Sequence, residues 1–391
     1  MIYKLSDIFD LQMGKTPTRS DLSYWQNGSY DWISISDLNT DRKYISDTKE
    51  RITTKAVRES GIKKIPANTV IMSFKLSMGK TAITSHDMFS NEAIMAFIDR
   101  KVIRINPDYI YYLLHALDWN KRANKAVKGR TVNKKIISQT QVNIPDYQTQ
   151  LRIVKIMDST RKRVKIQKDI LSKLDTLIKA RFVEMFGDPG LVHRENKVCN
   201  LENVAEVRSS HRIFTREFTK SGVPFYRGTE ISLLANGKEP IHSYYISKAR
   251  YDEITKNDSK PKIGDLLMPS ICDKGQIWLV NTSKPFYYKD GRVLCISPNR
   301  EKFNTIFFHQ YMKMKSQIEY LKIGSGSTFA EFKIFQLKKL KINIPPLKLQ
   351  NEFASFVQQV DKSKVVNVSI MKYIISIRFY LYFKENKEGA R

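Results

Sequence analysis

The sequence predicts an α+β protein in which two similar modules are each followed by a long helix, so that the chain forms an internal pseudo-two-fold repeat. Similar segments recur in the same order in both halves. Each half mixes short β-forming runs with one stretch of helical periodicity, and each ends in a long helix-patterned segment. The predicted segments are a first module at 1–149, a central spacer helix at 150–189, a second module at 190–349 and a C-terminal spacer helix at 350–391.

The repeat is visible in pairs of corresponding segments. The pairs, with their offsets in residues, are Trp32 and Phe225 (193), Thr69 and Asp265 (196), and Asn143 and Asn343 (200). The offset grows slowly along the chain, as small loop insertions in the second copy would make it grow. Two similar units on one chain can recognise two similar ligands a fixed distance apart.

Each module is predicted to have a small, irregular β core with one helix near its end. In the first module an amphipathic piece at 5–9 precedes a turn-rich stretch and an alternating strand at 32–36. The apolar run at 70–72 predicts a buried strand, the run at 93–98 predicts another strand, and a helix is predicted to begin at Tyr109. The counterparts in the second module lie at 201–205, 225–231, 265–268, 293–296 and 307–312.

The segment from Gln150 to Phe186 contains no Pro or Gly and predicts one long helix, which the sequence 187–189 ends. The predicted apolar seams are Val164, Leu171, Leu174, Ile178 and Met185 in this helix, and Phe356, Val360, Ile370, Ile374, Ile377 and Leu381 in the C-terminal one, where Ser363 and Asn367 fill polar gaps. Such heptad-like spacing favours two helices of roughly 55 Å that pack on each other. Two helices that dock separately on their own modules are the alternative.

The charge of the chain is strongly positive. The 67 Lys and Arg residues outnumber 39 Asp and Glu residues, which gives a net charge of +28. The charge is spread over the whole chain, with +8 in 1–149, +5 in 150–189, +12 in 190–349 and +3 in 350–391. Folded modules that are each basic favour an extended polyanion, double-stranded DNA above all, over an anionic membrane surface or an acidic protein.

Composition also indicates the cellular compartment that we expect for the protein. The most apolar stretch near the C-terminus, 373–383, is shorter than a membrane span and contains Arg378. The cysteines are Cys199, Cys272 and Cys295, an odd number without Cys-x-x-Cys spacing. Neither a disulfide framework nor a zinc site is therefore favoured. We expect a cytoplasmic protein with reduced thiols and no membrane association.

No catalytic, cofactor-binding or metal-binding constellation stands out. Gly-Lys-Thr occurs at 14–16 and at 79–81, but a phosphate-binding loop needs a further Gly five residues earlier, where Phe9 and Phe74 stand. The six His residues have neither metal-ligand nor triad spacing. We predict a protein that is not an enzyme by itself and that holds no cofactor or metal.

The remaining candidate site residues are those for DNA binding. The segment 121–135 holds seven basic residues and no acid, and 324–328 is its small-residue counterpart. The predicted phosphate contacts are Lys128, Arg130, Asn133 and Lys134 in the first module and Ser325, Ser327 and Thr328 in the second. The predicted base-edge contacts are Arg19, Trp25, Ser34, Lys75, Ser77 and Lys80 in the first and Arg208, Arg212, Arg216, Arg227, Lys274 and Gln276 in the second. A solvated basic face, with the aromatic residues in the core, is the alternative.

The layout resembles the specificity (S) subunit of type I restriction-modification systems. The resemblance covers essentially the whole chain. It rests on the β-forming run at 32–38, on the Asn-Ile-Pro…Gln entries to the helices at 143–150 and 343–350, and on the segment 181–189 that closes the first helix. The order and the duplication of these pieces carry the resemblance more than any one of them. The second copy departs from the first at the strand that contains Trp32, where Phe225, Tyr226 and Arg227 stand instead.

The resemblance implies two target-recognition domains held apart by two long antiparallel, coiled-coil-like helices. Each domain would recognise one half of a split, asymmetric DNA site. The helices would bind two modification (M) subunits, which carry S-adenosylmethionine and methylate adenine, and motor and nuclease (R) subunits would add cleavage that needs ATP and Mg²⁺. A stand-alone DNA-binding regulator or anti-restriction factor of the same fold is the alternative, followed by an enzyme that needs only ATP or S-adenosylmethionine.

Overall fold

The structure, a computed structural model, describes most of the chain. The described residues are 1–39, 42–75, 77–122, 124–126, 129–131, 133–192, 197–240, 244–256, 260–323 and 330–388. Of these, 39, 120, 122, 124–126, 129–131 and 377–388 are described by their backbone alone. Lys128, Ser325, Ser327, Thr328 and the side chain of Arg130, all predicted to bind phosphates, lie outside the described residues.

The first module is a mixture of short strands and helices. Its strands are β1 Ile2–Lys4, β2 Phe9–Met13, β3 Tyr30–Ile33, β4 Tyr44–Ile45, β5 Glu50–Ile52, β6 Val70–Ser73, β7 Thr81–Thr84, β8 Phe89–Ser90, β9 Ile94–Asp99, β10 Asn124–Ala126, β11 Gly129–Thr131 and β12 Gln141–Asn143. Its helices are α1 Leu5–Ile8, α2 Thr54–Glu59, α3 Pro107–Ala116, α4 Trp119–Arg122 and α5 Lys134–Gln139, with 3-10 turns at Leu22–Tyr24 and Asp37–Asn39. The first long helix, α6 Tyr147–Phe186, follows.

The second module repeats this mixture. Its strands are β13 Lys197–Asn200, β14 Ala205–Arg208, β15 Phe218–Thr219, β16 Val223–Tyr226, β17 Tyr245–Ile246, β18 Leu266–Pro269, β19 Trp278–Leu279, β20 Tyr287–Tyr288, β21 Val293–Pro298 and β22 Lys341–Ile344. Its helices are α7 Gly228–Ala235, α8 Lys248–Ile254, α9 Thr305–Ile323 and α10 Ile334–Lys338, with 3-10 turns at Leu201–Asn203 and Thr215–Glu217. The second long helix is α11 Leu347–Glu388.

The two modules share their strand pairing. One sheet has the order β2-β9-β6-β7-β4 in the first module and β14-β21-β18-β19 in the second. Beside it, β3 pairs in parallel with β8, and β16 pairs in parallel with β20. The first and last strands of each module, β1 with β12 and β13 with β22, are antiparallel. The predicted α+β class and the internal repeat therefore agree with the observed topology.

The predicted alternating strand at 32–36 ends earlier than expected, at Ile33. The carboxylate of Asp37 accepts hydrogen bonds from the backbone N–H of Ser34 at 2.8 Å and from its hydroxyl at 2.7 Å. Short polar side chains that bond to nearby backbone groups in this way favour turns over strands. The prediction was thus wrong for 34–36, although Trp32 and Ile33 are buried as a strand pattern requires.

The cores follow the apolar periodicity of the sequence. In the first module, strand β6 is buried along its whole length, and α3 buries Tyr109 to Leu114 against the sheet. Helix α3 begins where the side chain of Asn106 accepts a hydrogen bond from the N–H of Tyr109 and Pro107 occupies the first turn. Ile153 and Met157 of α6 complete this core.

Aromatic residues of α6 form part of the second core. The ring of Phe182 lies 5.7 Å from that of Phe307 in α9 and 5.5 Å from that of Phe353 in α11. Phe186 contacts the same two rings at 4.8 and 5.6 Å. Burial of such rings supplies much of the packing energy of a core. The predicted seam of α6 did not include either phenylalanine.

The long helices bury one heptad-spaced face. In α6 the least exposed positions run from Ile153 through Val164 and Leu171 to Ile178 at alternating steps of four and three. In α11 the corresponding face is Phe353, Val357, Val360, Lys364, Asn367, Met371 and Ile374. The predicted seam of α11 was therefore wrong at Ile370, which is 41% exposed, and at Ser363, which is exposed as well. Each lies one position before a residue of the buried face, Met371 and Lys364 respectively, and that step turns it away from the face. The side chains of Ile377 and Leu381 lie outside the described residues.

The chain divides into two compact units, and the boundaries between them fall within the long helices. The first unit comprises Met1–Gln167 and Ser369–Arg391, and the second comprises Lys168–Val368. Each unit thus contains one module together with part of α6 and part of α11. In the second unit, the Nζ of Lys364 lies 2.8 Å from the carboxylate of Asp175, which joins α11 to α6 there. The predicted four-segment division assigns the helices differently and stays a prediction.

A buried glutamine fixes the start of each long helix. The Nε2 of Gln150 donates to the carbonyls of Arg104 and Pro145 at 3.2 and 3.0 Å, and its Oε1 accepts from the N–H of Asn106 at 2.8 Å. Gln350 is equally buried. It makes the same bonds with Lys302 at 3.0 Å, Pro345 at 2.8 Å and Asn304 at 3.0 Å. The Asn-Ile-Pro…Gln signature therefore has a physical cause.

We predict that Gln150→Ala lowers the free energy of unfolding by about 3 kcal/mol, because three backbone groups lose their partner. Urea unfolding of the full chain, followed by circular dichroism, would measure the loss. Gln148→Ala is the matched control, since Gln148 is exposed on the same turn of α6. Equal transition midpoints for the two variants would contradict this role of Gln150.

Candidate nucleic-acid interface

Four loops of the first module meet at one end of its sheets. The N–H of Lys15, after β2, donates to the carbonyl of Ser90 at 2.8 Å, and the N–H of Asn91, after β8, donates to Ile33 at 3.0 Å. The N–H of Phe74, after β6, donates to Ala93 at 3.0 Å. We call the residues 14–21, 34–37, 74–75, 77–80 and 90–93 the first loop cluster.

Close approach of the backbones requires a glycine in this cluster. A Cβ added at Gly14 would lie 2.2 Å from the carbonyl oxygen of Ser90 and 2.3 Å from that of Asn91. Neither backbone could move away without breaking the hydrogen bond between Lys15 and Ser90. The Gly-Lys-Thr sequence at 14–16 is thus explained by packing between loops, in keeping with its missing phosphate-loop glycine.

Arg19 is held on an aromatic pair. Its guanidinium lies 4.0 Å from the centre of the Trp25 ring and 4.8 Å from that of Trp32. It forms a two-pronged salt bridge with the carboxylate of Glu50. The hydrogen bond to Glu50 raises the pKa of Arg19 against the opposing effect of burial. Because Glu50 occupies the fork of this guanidinium, Arg19 presents its positive charge but not a free pair of donors.

The remaining base-edge candidates of the first module lie in or beside the same cluster. Lys75 is half-buried with its Nζ 5.6 Å from the Phe74 ring centre, and Ser77 and Lys80 are in the same β6–β7 turn, where both bond to Ser73 through backbone groups. The hydroxyl of Ser34 is engaged by Asp37. The structure therefore brings Arg19, Trp25, Ser34, Lys75, Ser77 and Lys80 together at one end of the module.

Two described candidates lie at the start of α5. The side chain of Asn133 accepts a hydrogen bond from the N–H of Ile136 at 2.9 Å and caps this helix. Lys134 is exposed beside it. The cap gives Asn133 a structural role that its sequence neighbours did not indicate, and its DNA-binding role stays a prediction.

The second module has an equivalent loop cluster. The N–H of Lys289 donates to the carbonyl of Tyr226 at 2.9 Å, as Asn91 does to Ile33. The N–H of Ser270 donates to Arg292 at 2.9 Å, as Phe74 does to Ala93. The hydroxyl of Ser209 accepts from the N–H of Gly291 at 2.9 Å. We call the residues 209–217, 227–230, 270–277 and 289–292 the second loop cluster.

Two arginines of the second cluster flank an exposed phenylalanine. The guanidinium groups of Arg212 and Arg216 lie 5.1 and 5.2 Å from the ring centre of Phe214, which is 46% exposed. Both arginines are exposed, and among the described residues neither lies within salt-bridge distance of a carboxylate. Exposed cations held on an aromatic ring suit contacts to phosphates and bases. The sequence did not indicate Phe214 as part of a site.

Arg208 is instead part of a buried ion pair. Its side chain is 17% exposed and lies 3.4 Å from the carboxylate of Asp265, which is 3% exposed. Its Nη1 donates to the hydroxyl of Ser297 at 2.6 Å. These contacts join β14, β21 and the turn before β18. The structure thus gives Arg208 a structural partner that sequence alone could not reveal, because Asp265 is 57 residues away.

Three further candidates of the second module have intramolecular partners. Arg227 forms a two-pronged bond with Glu230, which also caps α7. The Oε1 of Gln276 accepts from the N–H of Lys274 at 3.1 Å, and its Nε2 donates to Asp273 at 2.8 Å. Lys274 is exposed. Arg212, Arg216 and Lys274 are therefore the freest cations among the candidates of this cluster.

The fold and the two clusters define a class of protein with two similar modules, each presenting a basic face of convergent loops. The family model described as type I restriction modification DNA specificity domain matches residues 1–176 and 193–369. The chain belongs to the family of type I restriction-modification specificity subunits.

The chain is similar to specificity subunits over most of its length. It is 24% identical over 393 residues to the type I restriction enzyme MjaIX specificity subunit of Methanocaldococcus jannaschii, covering 94% of this chain and 87% of the relative. It is 26% identical over 298 residues to the putative type I restriction enzyme specificity subunit S.HindORF215P of Haemophilus influenzae, covering 72% of each. A chain from a solved structure on complex assembly and conformational transition of the type I restriction-modification system matches with a TM-score of 0.61 and 14% identity, covering 99% of this chain and 97% of that one.

The described residues offer neither a metal site nor a membrane-spanning helix. No group of three or more His, Cys, Asp or Glu side chains in the described part of the chain could hold a metal ion. Of the helices as far as they are described, none is long and apolar enough to cross a membrane.

We predict that Arg208→Met destabilises the second module by about 3 kcal/mol, because it removes the nearest cation from a buried carboxylate. Urea unfolding of the full chain would detect the loss. Arg212→Met is the matched control, since it removes an exposed guanidinium from the same module. If both variants unfolded at the wild-type urea concentration, the salt bridge with Asp265 would contribute nothing to stability.

Proposed function

We propose that this protein is the non-catalytic DNA-recognition subunit of a type I restriction-modification complex, and that each module recognises one half of a bipartite DNA site. The observation that carries the proposal is the recurrence of one loop cluster on two modules of the same chain. The backbone bonds of the clusters correspond, whereas their exposed side chains differ. Similar scaffolds with different side chains suit two half-sites of different sequence.

The long helices would act as the spacer that sets the distance between the half-sites. Helix α6 has 40 residues, which corresponds to about 60 Å. Phe182 and Phe186 lie against Phe353, and Asp175 lies against Lys364. Since the sequence order is reversed between the partners, these contacts support antiparallel, coiled-coil-like packing. Half-sites about one duplex turn apart, roughly 34 Å, would let both modules face the same side of the DNA.

Linking two modules makes the second binding event intramolecular. The affinity then depends on the correct spacing as well as on two correct half-sites. Basic charge on both modules would supply the part of the affinity that does not depend on sequence and that falls with salt. This division fits a chain with +28 net charge distributed over all its segments.

Two M subunits are the proposed partners of the helices, with R subunits joining the complex. Exposed apolar residues of α11 support a docking surface, which we define as Val365, Val366, Ile370 and Tyr373. Val366, Ile370 and Tyr373 follow one another at steps of four and three residues and therefore share one helix face. In this proposal S-adenosylmethionine, ATP and Mg²⁺ are bound by the partner subunits, and adenine flipping is the task of M.

The spacer proposal predicts a change in site length without a change in half-sites. Duplicating 171–177 in α6 together with 358–364 in α11 adds one heptad to each helix, so the buried faces stay aligned. The added length is about 10.5 Å, and we expect the spacer of the site to grow by about three base pairs. A genome-wide map of methylated adenines in cells that express the variant with its M subunit would show it.

The control is an insertion of seven Gly and Ser residues at Gly237, an open turn with no atom near its Cβ position. This change lengthens the chain but not the helices, so the methylated site should stay that of the wild type. Altered half-site bases with an unaltered spacer in the heptad variant would contradict the proposal. A methylation map independent of this chain would contradict it as well.

The docking surface predicts loss of the complex upon a single charge change. Val366→Glu places a carboxylate on an apolar face and should lower the amount of M subunit that co-purifies with the chain at least tenfold. Val102→Glu is the matched control, because Val102 is a valine of the first module, outside α11, and is 58% exposed. Size-exclusion chromatography with light scattering would give the stoichiometry. If the Val366→Glu chain co-purified with as much M subunit as the wild-type chain, the proposed docking surface would be rejected.

A further inference from the structure

An exposed carboxylate lies within the basic first loop cluster. Glu92 follows β8 in the loop whose backbone is bonded to Ile33 and Phe74. The hydroxyl of Thr16 donates to its Oε2 at 2.5 Å. No other described residue donates a hydrogen bond to its Oε1, which can therefore accept from a ligand. Glu92 is thus held in place by one oxygen, and the other oxygen is available to a ligand.

Its surroundings keep this carboxylate ionised. The hydrogen bond from Thr16 lowers the pKa of Glu92, and the charges of Lys75 and Arg19 act in the same direction, against a smaller effect of partial burial. At neutral pH the group therefore accepts hydrogen bonds and donates none. Neither cation lies within salt-bridge distance of it, and Arg19 bonds to Glu50 instead.

An ionised acceptor on a DNA-binding face has few favourable ligands. The phosphates of DNA repel such a carboxylate, so its binding is favourable only where it faces the base edges in a groove. In the major groove the donors are the exocyclic amino groups of cytosine and adenine, and carboxylates pair with the N4 amino group of cytosine. We propose that Glu92 accepts a hydrogen bond from the exocyclic amino group of a cytosine or adenine in the first half-site. This inference rests on the proposed function.

Other acidic groups of the cluster are already engaged. Both oxygens of Glu50 bond to Arg19, and both oxygens of Asp37 accept from Ser34 and from the N–H of Lys49. Asp21 bonds to Ser23 through Oδ1 alone and caps the 3-10 turn at Leu22–Tyr24. Glu92 is the carboxylate of this cluster that is held by Thr16 beside the charges of Lys75 and Arg19, with one oxygen left to accept from a base. Arg19 and Lys75 beside it would keep the neighbouring phosphates at contact distance.

The second loop cluster has different chemistry at the equivalent place. The loop between β20 and β21 contains Asp290, whose carboxylate lies 3.0 Å from the Nζ of Lys289, followed by Gly291 with a φ of 63°. Arg292 then pairs with Glu331. Asp290 thus stands at the place of Glu92 with its carboxylate paired to a lysine, whereas Glu92 forms no salt bridge with a described residue. The two half-sites should accordingly differ, with the amino-group requirement confined to the first.

The experiment is a selection of bound duplexes from a randomised bipartite library by the full chain in its complex with M subunits. The wild-type protein should require cytosine or adenine at one position of the first half-site, and the selected base identifies which amino group is bound. Glu92→Ala should lower the preference at that position roughly tenfold and leave the second half-site unchanged. Glu92→Gln keeps an acceptor and adds a donor, so it should admit guanine or thymine there.

Thr16→Val tests the positioning of Glu92. It removes the hydrogen bond that holds the carboxylate and should weaken the base preference at the same position by less than Glu92→Ala does. The inference is overturned if Glu92→Ala weakens binding to all sequences alike, or if both Glu92 variants keep every wild-type preference. A wild-type complex without any sequence preference would overturn the proposed function together with this inference.

Discussion

The fold depends on how each long helix is attached to its module, and one buried amide makes that attachment in both cases. A glutamine side chain that bonds to three backbone groups joins the end of the last strand, the loop before α3 or α9, and the first turn of the long helix. These backbone groups would otherwise be buried without partners, so each bond is needed for folding. The direction in which each helix leaves its module is therefore fixed at Gln150 and Gln350. The proposed spacer of defined length requires both junctions to keep this direction.

Beyond this shared junction, the modules are attached to the long helices by different forces. In the first unit, Nζ of Lys43 lies 2.7 Å from the carboxylates of both Asp108 in α3 and Asp158 in α6. Burial alone would lower the pKa of Lys43, but hydrogen bonds to the two carboxylates outweigh it and raise the pKa. In the second unit stacked and edge-on rings join the module to both long helices, with Phe182 of α6 against Phe307 of α9 and Phe353 of α11. A junction held by ion pairs weakens when the ionic strength rises or when one charged partner is removed. A junction held by aromatic rings depends instead on how well the rings pack against each other. The same topology thus tolerates two chemically different solutions.

The sequence allowed the repeat, the α+β class and both long helices to be predicted, because these follow from local periodicity and from Pro and Gly positions. Helix α6 ends at Phe186 as expected and begins three residues before the predicted start. The predicted seam of α11 was wrong at Ile370. A heptad period of 3.5 residues must be counted from the correct first residue of the buried face, and the sequence did not identify Phe353 as that residue. The partners of Arg208, Arg227 and Asn133 could not be predicted, because a basic or amide side chain gives no sequence signal of whether it faces solvent or a carboxylate. Glu92 was missed for a related reason: a search for positive charge passes over the acid that the charge surrounds.

The loop clusters suggest why two modules of one chain can differ in specificity while keeping their geometry. The bonds that bring the loops together join backbone groups, as between Asn91 and Ile33 or between Lys289 and Tyr226. Backbone bonds do not depend on which side chain a residue carries, apart from positions such as Gly14 where a Cβ would collide with a neighbouring carbonyl. Exposed side chains at the remaining positions can therefore change without a change in the scaffold. One module presents a carboxylate beside a stacked arginine, the other presents two arginines on Phe214. Because acceptors and donors select different base edges, this difference in side chains is sufficient to make the proposed half-sites unequal.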